Sequence, residues 1–466
     1  MTTWGHERAF SWRGANPYAS SLRREGVRRQ VVALVFLVFW MVVLEGAVRK
    51  WLLPDLHRVV LFARDPILLL AYLNALRGGF LRPSDPLCVF AIAFSIGTPF
   101  LLLVQLTTSS YVFDPVLAGY GWRNYVLYGP LLHVIAAAFR REDLDRLCRH
   151  VLLLAAFSAP LMAVQVRSDF FHPINMGTGD NDETTFANLG LALGIVRATG
   201  FFTSSNGAYI FSVTAFAVGL GFWLRSPKER GIHVIWLLVG TAAAIVCVFL
   251  SGNRGSVVHV GIILLFGFAA AGVLVARSLI VRSALVPFVL AAAAGAALTV
   301  LFPDVFEAFV VRFTSAQIEE EQSYALGIVG RAFRPFTSFI PALAETPLFG
   351  YGLGYGTNAA VLLDLLPDYL QAEDDWHRHV VDLGGPLASI LIFLRIVLVA
   401  YIGVLVFRAL RRTSDPMPLV LFGLIGIVLL AGQIVGHSTL NAFAWIFTGV
   451  CCGLAKAAES ATWQRR

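Results

Sequence analysis

The sequence predicts an all-α, polytopic integral membrane protein with about twelve transmembrane helices. Hydrophobic residues make up 57% of the 466-residue chain, charged residues make up 14%, and the mean hydropathy is +0.73. A soluble domain of this length would carry more charge. The apolar runs are continuous rather than alternating, which favours helices over the strands of a membrane barrel.

The predicted spans are runs of roughly twenty mostly apolar residues, the length that crosses a bilayer as a helix. Together they form a single membrane domain at 31–456, between an N-terminal tail at 1–30 and a C-terminal tail at 457–466. A long helical loop at 303–384 separates the ninth and tenth spans. The approximate ranges of the spans are 31–47, 57–76, 86–105, 124–139, 148–166, 207–224, 232–250, 256–275, 281–302, 385–407, 417–435 and 439–456.

Basic residues predict the orientation, because lysine and arginine concentrate on the cytoplasmic side of a membrane. They cluster in both tails and in every second connection, for example at Arg140, Arg141 and Arg225. Both tails are therefore predicted to be cytoplasmic and the long loop external, whereas Arg49 and Lys50 are external exceptions. The net charge of +7 mainly reflects this bias, so it is poor evidence for binding to nucleic acid.

Arginine residues on separate external segments are candidate ligands for a diphosphate group. Guanidinium groups hold phosphate oxygens through paired, charge-assisted hydrogen bonds. Diphosphate is a good leaving group once its growing charge is neutralised. A single interfacial arginine more often binds lipid headgroups, so the hypothesis requires several to converge. The candidates are Arg197, Arg254, Arg331 and Arg334.

The end of the long loop contains side chains that can transfer a proton. A carboxylate or a histidine there could take a proton from an attacking sugar hydroxyl. The glycine-rich segment at 347–356 is interpreted as a turn where helices pack closely, since no βαβ unit surrounds it. No Cys/His spacing suggests a zinc site. The candidate catalytic residues are Glu373, Asp375, His377, Arg378 and His379.

The order of these segments resembles that of the O-antigen ligase and O-antigen polymerase family. The matching motifs are Arg197-x-x-Gly200, Ser251-Gly-x-Arg254-Gly255, Pro347-Leu-x-Gly350-x-Gly352-x-Gly354 and Asp382-x-Gly384. A further likeness, in Glu45 to Pro54 together with Arg64-Asp65-Pro66, looks like a subgroup associated with exopolysaccharide gene clusters.

The resemblance implies a membrane glycosyltransferase that uses no metal, nucleotide or other cofactor. Such an enzyme transfers a glycan from an undecaprenyl-diphosphate carrier to an acceptor hydroxyl at the periplasmic face of the bacterial inner membrane. A ligase of lipopolysaccharide biosynthesis uses lipid A–core as acceptor, whereas a polymerase uses another carrier-linked glycan. Membrane lipid and a chain-length regulator are further candidate partners.

The identity of the general base departs from the family pattern. The family often has a histidine about nine residues before the Glu-x-Gly motif, and that position is Glu373 in this chain. Either a carboxylate therefore acts as the base, or His377 does with a shifted spacing. This departure favours a polymerase-like enzyme over a strict ligase.

A polysaccharide-lipid flippase or another twelve-span transporter is the alternative. Transporters commonly bind their substrates near the middle of the bilayer, where ionisable residues mark the pathway. The predicted spans have almost no such residues near their centres, and no matching halves are found in the chain. These observations favour the enzyme over a proton-coupled transporter.

Overall fold

A computed structural model describes residues 17–81, 97–98, 100–107, 114–177, 194–275, 281–308, 310–311, 333–357, 360 and 374–463. Within these ranges the chain is helical and has no β-strand. The α-helices, numbered in chain order, are α1 (Pro17–Ala47), α2 (His57–Phe62), α3 (Asp65–Arg77), α4 (Pro115–Val126), α5 (Leu131–Ala138), α6 (Arg141–Arg167), α7 (Ser205–Leu224), α8 (Val234–Leu250), α9 (Arg254–Val275), α10 (Val281–Leu301), α11 (Phe339–Glu345), α12 (Asp375–Leu383), α13 (Gly385–Thr413), α14 (Met417–Ala431) and α15 (Ser438–Trp463).

Seven helical segments of the described chain are long and apolar enough to cross a membrane. The shorter apolar helices α8 and α14 pack among them. The helical class is therefore confirmed, these segments indicate a membrane protein, and the number of twelve spans stays a prediction. The seven segments are Ser21–Leu52, Val59–Arg77, Arg141–Arg167, Ser205–Leu224, Arg254–Leu274, Gly385–Thr413 and Ser438–Ala458.

Helix α7 forms the centre of the bundle. Every residue from Gly207 to Leu224 is buried, and α6, α8, α9 and α14 pack around this helix. A helix that is apolar on all sides needs a covering on every face. The sequence of α7 therefore explains its central position, and the other helices bury their own apolar faces against it.

Two of the predicted spans are each divided into two helices. The span predicted at 57–76 comprises α2 and α3, and the span predicted at 124–139 comprises the end of α4 and all of α5. Pro130 lies in the break between α4 and α5, where its ring cannot continue a helix. Asp114 caps the start of α4 by accepting hydrogen bonds from Val116 N at 2.7 Å and Leu117 N at 3.0 Å, so this helix begins earlier than predicted.

One end of the bundle, here called the basic end, is held together by ion pairs. Arg225 Nε and Nη2 each lie 2.9 Å from an Asp415 carboxylate oxygen, and Arg225 Nη1 lies 2.8 Å from Asp145. Arg28 Nη1 lies 2.5 Å from Asp143 Oδ2. These contacts bring together connections that were predicted to be cytoplasmic. The opposite end, where α7, α9, α13 and α15 begin, is called the site end.

The glycine-rich segment forms a turn, as predicted, and this turn packs against the end of α12. The Gln105 side-chain amide donates to the carbonyl oxygens of Phe349 and Asp382, both at 2.7 Å. Gly384, which follows α12, has a φ of +75°, and a Cβ atom there would collide with the Leu348 carbonyl. Only glycine fits this conformation without strain. The close packing fixes α12 at the site end, immediately before α13.

Candidate active site

Helix α12 is a short helix whose side chains are almost all buried. Trp376 Nε1 donates to the Leu430 carbonyl at 2.7 Å, which attaches α12 to the end of α14. Arg395 reaches the same region from α13, and its Nε donates to the Leu429 carbonyl at 2.7 Å. Burying charged residues in this way is costly unless each charge has partners. The groups that pair with the buried charged residues of α12 therefore make up the candidate site.

A chain of hydrogen bonds, here called the His379 chain, connects Arg395, His379, Tyr125 and Asp382. Arg395 Nη1 lies 2.6 Å from His379 Nε2, and His379 Nδ1 lies 3.0 Å from Tyr125 Oη. Because a guanidinium group can only donate, Nε2 is the acceptor and Nδ1 carries the imidazole proton. Tyr125 Oη then donates to Asp382 Oδ2 at 3.0 Å. Burial lowers the pKa of His379 to about 3, so the ring is neutral at pH 7, as this arrangement requires.

Asp375 is a buried carboxylate with two strong donors. Arg395 Nη1 lies 2.6 Å from Asp375 Oδ2, and the Val435 backbone N–H donates to Oδ1 at 3.1 Å. Burial is the largest single influence and would raise the pKa of Asp375, but the combined effect of its neighbours, Arg395 foremost, outweighs burial and holds that pKa below its usual value. Asp375 therefore stays ionised and is better suited to holding Arg395 than to accepting a proton.

Asp382 is the group in the His379 chain whose protonation changes closest to neutral pH. It has no exposed surface, and its Oδ1 accepts a hydrogen bond from Gly356 N at 2.6 Å. Burial is the largest influence and raises the pKa of Asp382 to about 7, although the hydrogen bonds from Gly356 and Tyr125 act in the opposite direction. Asp382 can therefore gain or lose a proton near pH 7.

We predict that Asp382→Asn removes a pH dependence of the protein's stability. An aspartate in an unfolded chain has a pKa of about 3.9, whereas the folded value is about 7. The folded state therefore binds one more proton between these values. The resulting stabilisation is complete below about pH 4 and is lost as the pH rises through 7, at up to about 1.4 kcal/mol per pH unit.

The wild type must be compared with the variant because His379 changes the stability of the protein with pH in the opposite direction. Its lowered pKa makes stability rise with pH up to about 6.5, the value in an unfolded chain. Thermal unfolding of both proteins in detergent between about pH 4 and 7 would measure the difference. The stability of Asp382→Asn relative to the wild type should increase across this range. A constant difference would show that Asp382 keeps its usual pKa.

Arg378 points from α12 towards the connection between α14 and α15. The side chain is 4% exposed, and a Cβ atom on Gly436 would overlap its guanidinium group. The next residue, His437, has its Nε2 at 2.7 Å from Asn206 Nδ2. Asn206 Oδ1 in turn accepts from Asn253 Nδ2 at 3.5 Å. Arg378 is thus close to polar residues of two other loops.

Arg254 and Arg197 come from those two loops. Arg254 is the first residue of α9, directly after Asn253. Arg197 is partly buried, and the N–H of the next residue, Ala198, donates to the Leu250 carbonyl at 3.3 Å. The segments that bear Arg197, Arg254 and Arg378 therefore adjoin one another at the site end. We call Arg197, Asn206, Arg254, Arg378 and His437 the arginine cluster.

Arg334 approaches the first turn of α12. Arg334 Nε lies 3.2 Å from Oδ2 of Asp374, which is three residues before His377. His377 is partly exposed, and its side chain has no hydrogen-bond partner among the described residues. Burial lowers the pKa of His377 below its usual value, with Asp374 acting in the opposite direction. The predicted residues Arg331 and Glu373 lie outside the described residues.

An apolar cavity of about 70 Å³ lies beside the His379 chain. Tyr125, His379 and Arg395 form its polar end, and the wall includes Leu391 and Trp445. A space of this size could hold a few water molecules. Because most of its lining is apolar, the cavity adds to the low-polarity surroundings that keep His379 uncharged.

Several residues of this site were not among the predicted candidates. Arg395 carried a signal in the sequence, since a charged residue within an apolar span usually marks a buried polar site. Tyr125 and Asn206 carried none, because their roles depend on partners that are remote in the sequence. Asp382 was noted only as part of the Asp382-x-Gly384 motif.

No protein-family model matches the chain, and no curated protein matches it in sequence. The functional interpretation therefore rests on the geometry of the site and on the resemblance of its motifs.

Proposed function

We propose that the protein is a membrane glycosyltransferase that moves a glycan from an undecaprenyl-diphosphate carrier to an acceptor sugar hydroxyl. Polymerisation of surface-polysaccharide repeat units is the favoured form of this reaction, and ligation to lipid A–core is the other. The proposal places the site at the periplasmic face of the bacterial inner membrane. The observation that carries it is the meeting of α12, which bears Arg378, with the start of α9, which bears Arg254, and the segment before α7, which bears Arg197.

The reaction is a single displacement at the anomeric carbon of the donor. The acceptor oxygen forms a bond to that carbon while the bond to the diphosphate oxygen breaks. The diphosphate leaves with the bonding electrons, and the anomeric configuration inverts. The arginine cluster supports this chemistry because guanidinium groups held in advance stabilise charge that develops on the leaving group.

His377 is the side chain with the best support as the general base. A base must be neutral and able to accept a proton from the attacking hydroxyl. His377 has a lowered pKa and no competing hydrogen bond among the described residues. By contrast, Asp375 is engaged by Arg395, and both ring nitrogens of His379 are occupied. The nearby Arg334 would then contact the diphosphate or the acceptor rather than take the proton.

The decisive experiment is an assay of covalent transfer. Purified full-length protein in detergent is incubated with an undecaprenyl-diphosphate oligosaccharide from its host, and the products are resolved by gel and mass spectrometry. A ladder of longer carrier-linked glycans with released carrier diphosphate would establish a polymerase. Product that forms only after lipid A–core is added would establish a ligase. No covalent change, in protein shown to be folded, would overturn the proposal and favour the flippase.

The same assay tests the base. His377→Gln should reduce the turnover rate by about 10²- to 10⁴-fold, because the hydroxyl loses its proton acceptor. In the wild type, activity should rise with pH as the base becomes neutral, and His377→Gln should lack this rise. His233→Gln, at the exposed start of α8, is the matched control. If Glu373→Gln abolishes the rise and His377→Gln does not, Glu373 is the base.

A further inference from the structure

A second group of charged side chains at the site end lies outside the candidate active site. Glu45 Oε1 accepts from Arg49 Nη1 at 3.1 Å, and Glu45 Oε2 lies 2.8 Å from Arg64 Nη1. Asp65 binds Arg123 through both carboxylate oxygens, at 2.5 and 3.0 Å. These contacts connect the end of α1 with the start of α3 and with α4.

Lys50 belongs to this group but has only uncharged partners among the described residues. Its Nζ donates to Thr199 Oγ1 at 3.1 Å and to the Gly200 carbonyl at 2.8 Å, and it lies 4.4 Å from the centre of the Trp51 ring. Even without Lys50, three arginines accompany two carboxylates in the described group, which leaves positive charge in excess. We call Glu45, Arg49, Lys50, Trp51, Arg64, Asp65 and Arg123 the Arg64 cluster.

Several buried donors of the cluster have no acceptor in the described structure. Arg64 is 1% exposed, and its Nε and Nη2 atoms have no hydrogen-bond partner. The same is true of Arg49 Nε and Trp51 Nε1. Buried donors in folded proteins are nearly always paired, so a set of four at one place indicates an additional acceptor. The excess positive charge indicates that this acceptor is an anion.

We infer that the Arg64 cluster binds a phosphate-type anion through Arg49, Arg64 and Trp51. A phosphate group offers several oxygens and negative charge, which matches both the unpaired donors and the charge excess. The Arg49 side chain is 13% exposed, so the cluster is in contact with the surroundings of the protein. Lys50 connects the cluster to the segment that bears Arg197 in the arginine cluster.

The anion has two chemical sources that an experiment can separate. One is the headgroup of a membrane phospholipid. The other rests on the proposed function: a polymerase handles two carrier-linked glycans at once, and the Arg64 cluster would hold the diphosphate of the acceptor while the arginine cluster holds that of the donor. The second source predicts two bound carrier diphosphates per chain.

Native mass spectrometry of the purified full chain tests the inference. Undecaprenyl diphosphate, phosphatidylglycerol and inorganic pyrophosphate are added one at a time to the wild type, Arg64→Gln, Arg49→Gln and Arg77→Gln. Arg77 is exposed at the opposite end of α3 and is the matched control. Binding of at least one probe should weaken about tenfold or more in Arg64→Gln and Arg49→Gln, and stay unchanged in Arg77→Gln.

The outcomes separate this inference from the proposed function. Arg64-dependent binding of phosphatidylglycerol would identify a headgroup site, and loss of one of two undecaprenyl diphosphates would identify an acceptor site. Arg64-dependent binding of pyrophosphate would support the inference even if undecaprenyl diphosphate does not bind at all. Wild-type affinity of both cluster variants for all three probes would overturn it. If Arg64→Gln does not fold, Arg49→Gln provides the test, because the Arg49 side chain is partly exposed.

Discussion

Replacing Arg254 with alanine should lower the rate of glycan transfer by about 10²- to 10³-fold, the usual effect of removing one fixed donor that stabilises charge in a transition state. Arg254 is the first residue of α9, beside the Asn253 and Asn206 contacts of the arginine cluster. In the proposed reaction, its loss leaves the charge on the departing diphosphate less neutralised. The measurement is the initial rate at which carrier-linked glycan is lengthened by purified protein.

Two further variants define the role of Arg254. Arg254→Lys keeps the charge but cannot form two parallel hydrogen bonds, so it should also be impaired, though less than the alanine variant. Arg408→Ala, which removes an exposed arginine near the end of α13, should retain the wild-type rate. Equal rates for Arg254→Ala and the wild type would exclude Arg254 from the diphosphate site.

The largest effect on stability is expected for Arg395→Met. Removing one partner of a buried ion pair typically costs about 3–5 kcal/mol, because the other charge stays buried without compensation. In this protein Asp375 would lose its strongest donor, and His379 Nε2 and the Leu429 carbonyl would each lose a hydrogen bond. Denaturation of the purified variant and the wild type in mixed micelles would measure the free energy of unfolding.

A double variant distinguishes loss of the pair from loss of packing. If the cost of Arg395→Met arises from the stranded Asp375 charge, adding Asp375→Asn should restore part of the stability. The effects of the two single substitutions should then add up to more than the effect of the double variant. Strictly additive effects would show that the two side chains contribute independently.

The positions of the long helices could be predicted because they depend on local composition. Continuous apolar runs mark α6, α7, α9 and α13, and the basic residues of alternate connections meet at one end of the bundle, as in the contacts of Arg225. The division of the fourth predicted span was missed, although Asp114 and Pro130 both carried local signals for a helix start and a helix break.

The composition of the candidate site was predictable only in part. His377, Arg197, Arg254 and Arg378 were named as candidates because their residue types suit phosphate binding or proton transfer, and their roles stay predictions. The pairing of Tyr125 with Asp382 joins residues 257 positions apart, and no local pattern indicates it. The ionisation of Asp375 and Asp382 likewise depends on their different partners, so two similar carboxylates on one short helix acquire different pKa values.

The long-range contacts of Asn124 have a consequence for biosynthesis. Asn124 Nδ2 donates to the Val435 carbonyl at 2.9 Å, and the Asn124 carbonyl accepts from Asn441 Nδ2 at 2.6 Å. A ribosome that adds 5–20 residues per second would take roughly 15–60 s to travel from the first of these residues to the last. During this interval the nascent chain lacks both the backbone donor for Asp375 and the loop that Arg378 contacts. If the protein has the proposed function, the polypeptide should therefore stay inactive towards carrier lipids until its last helix has entered the membrane.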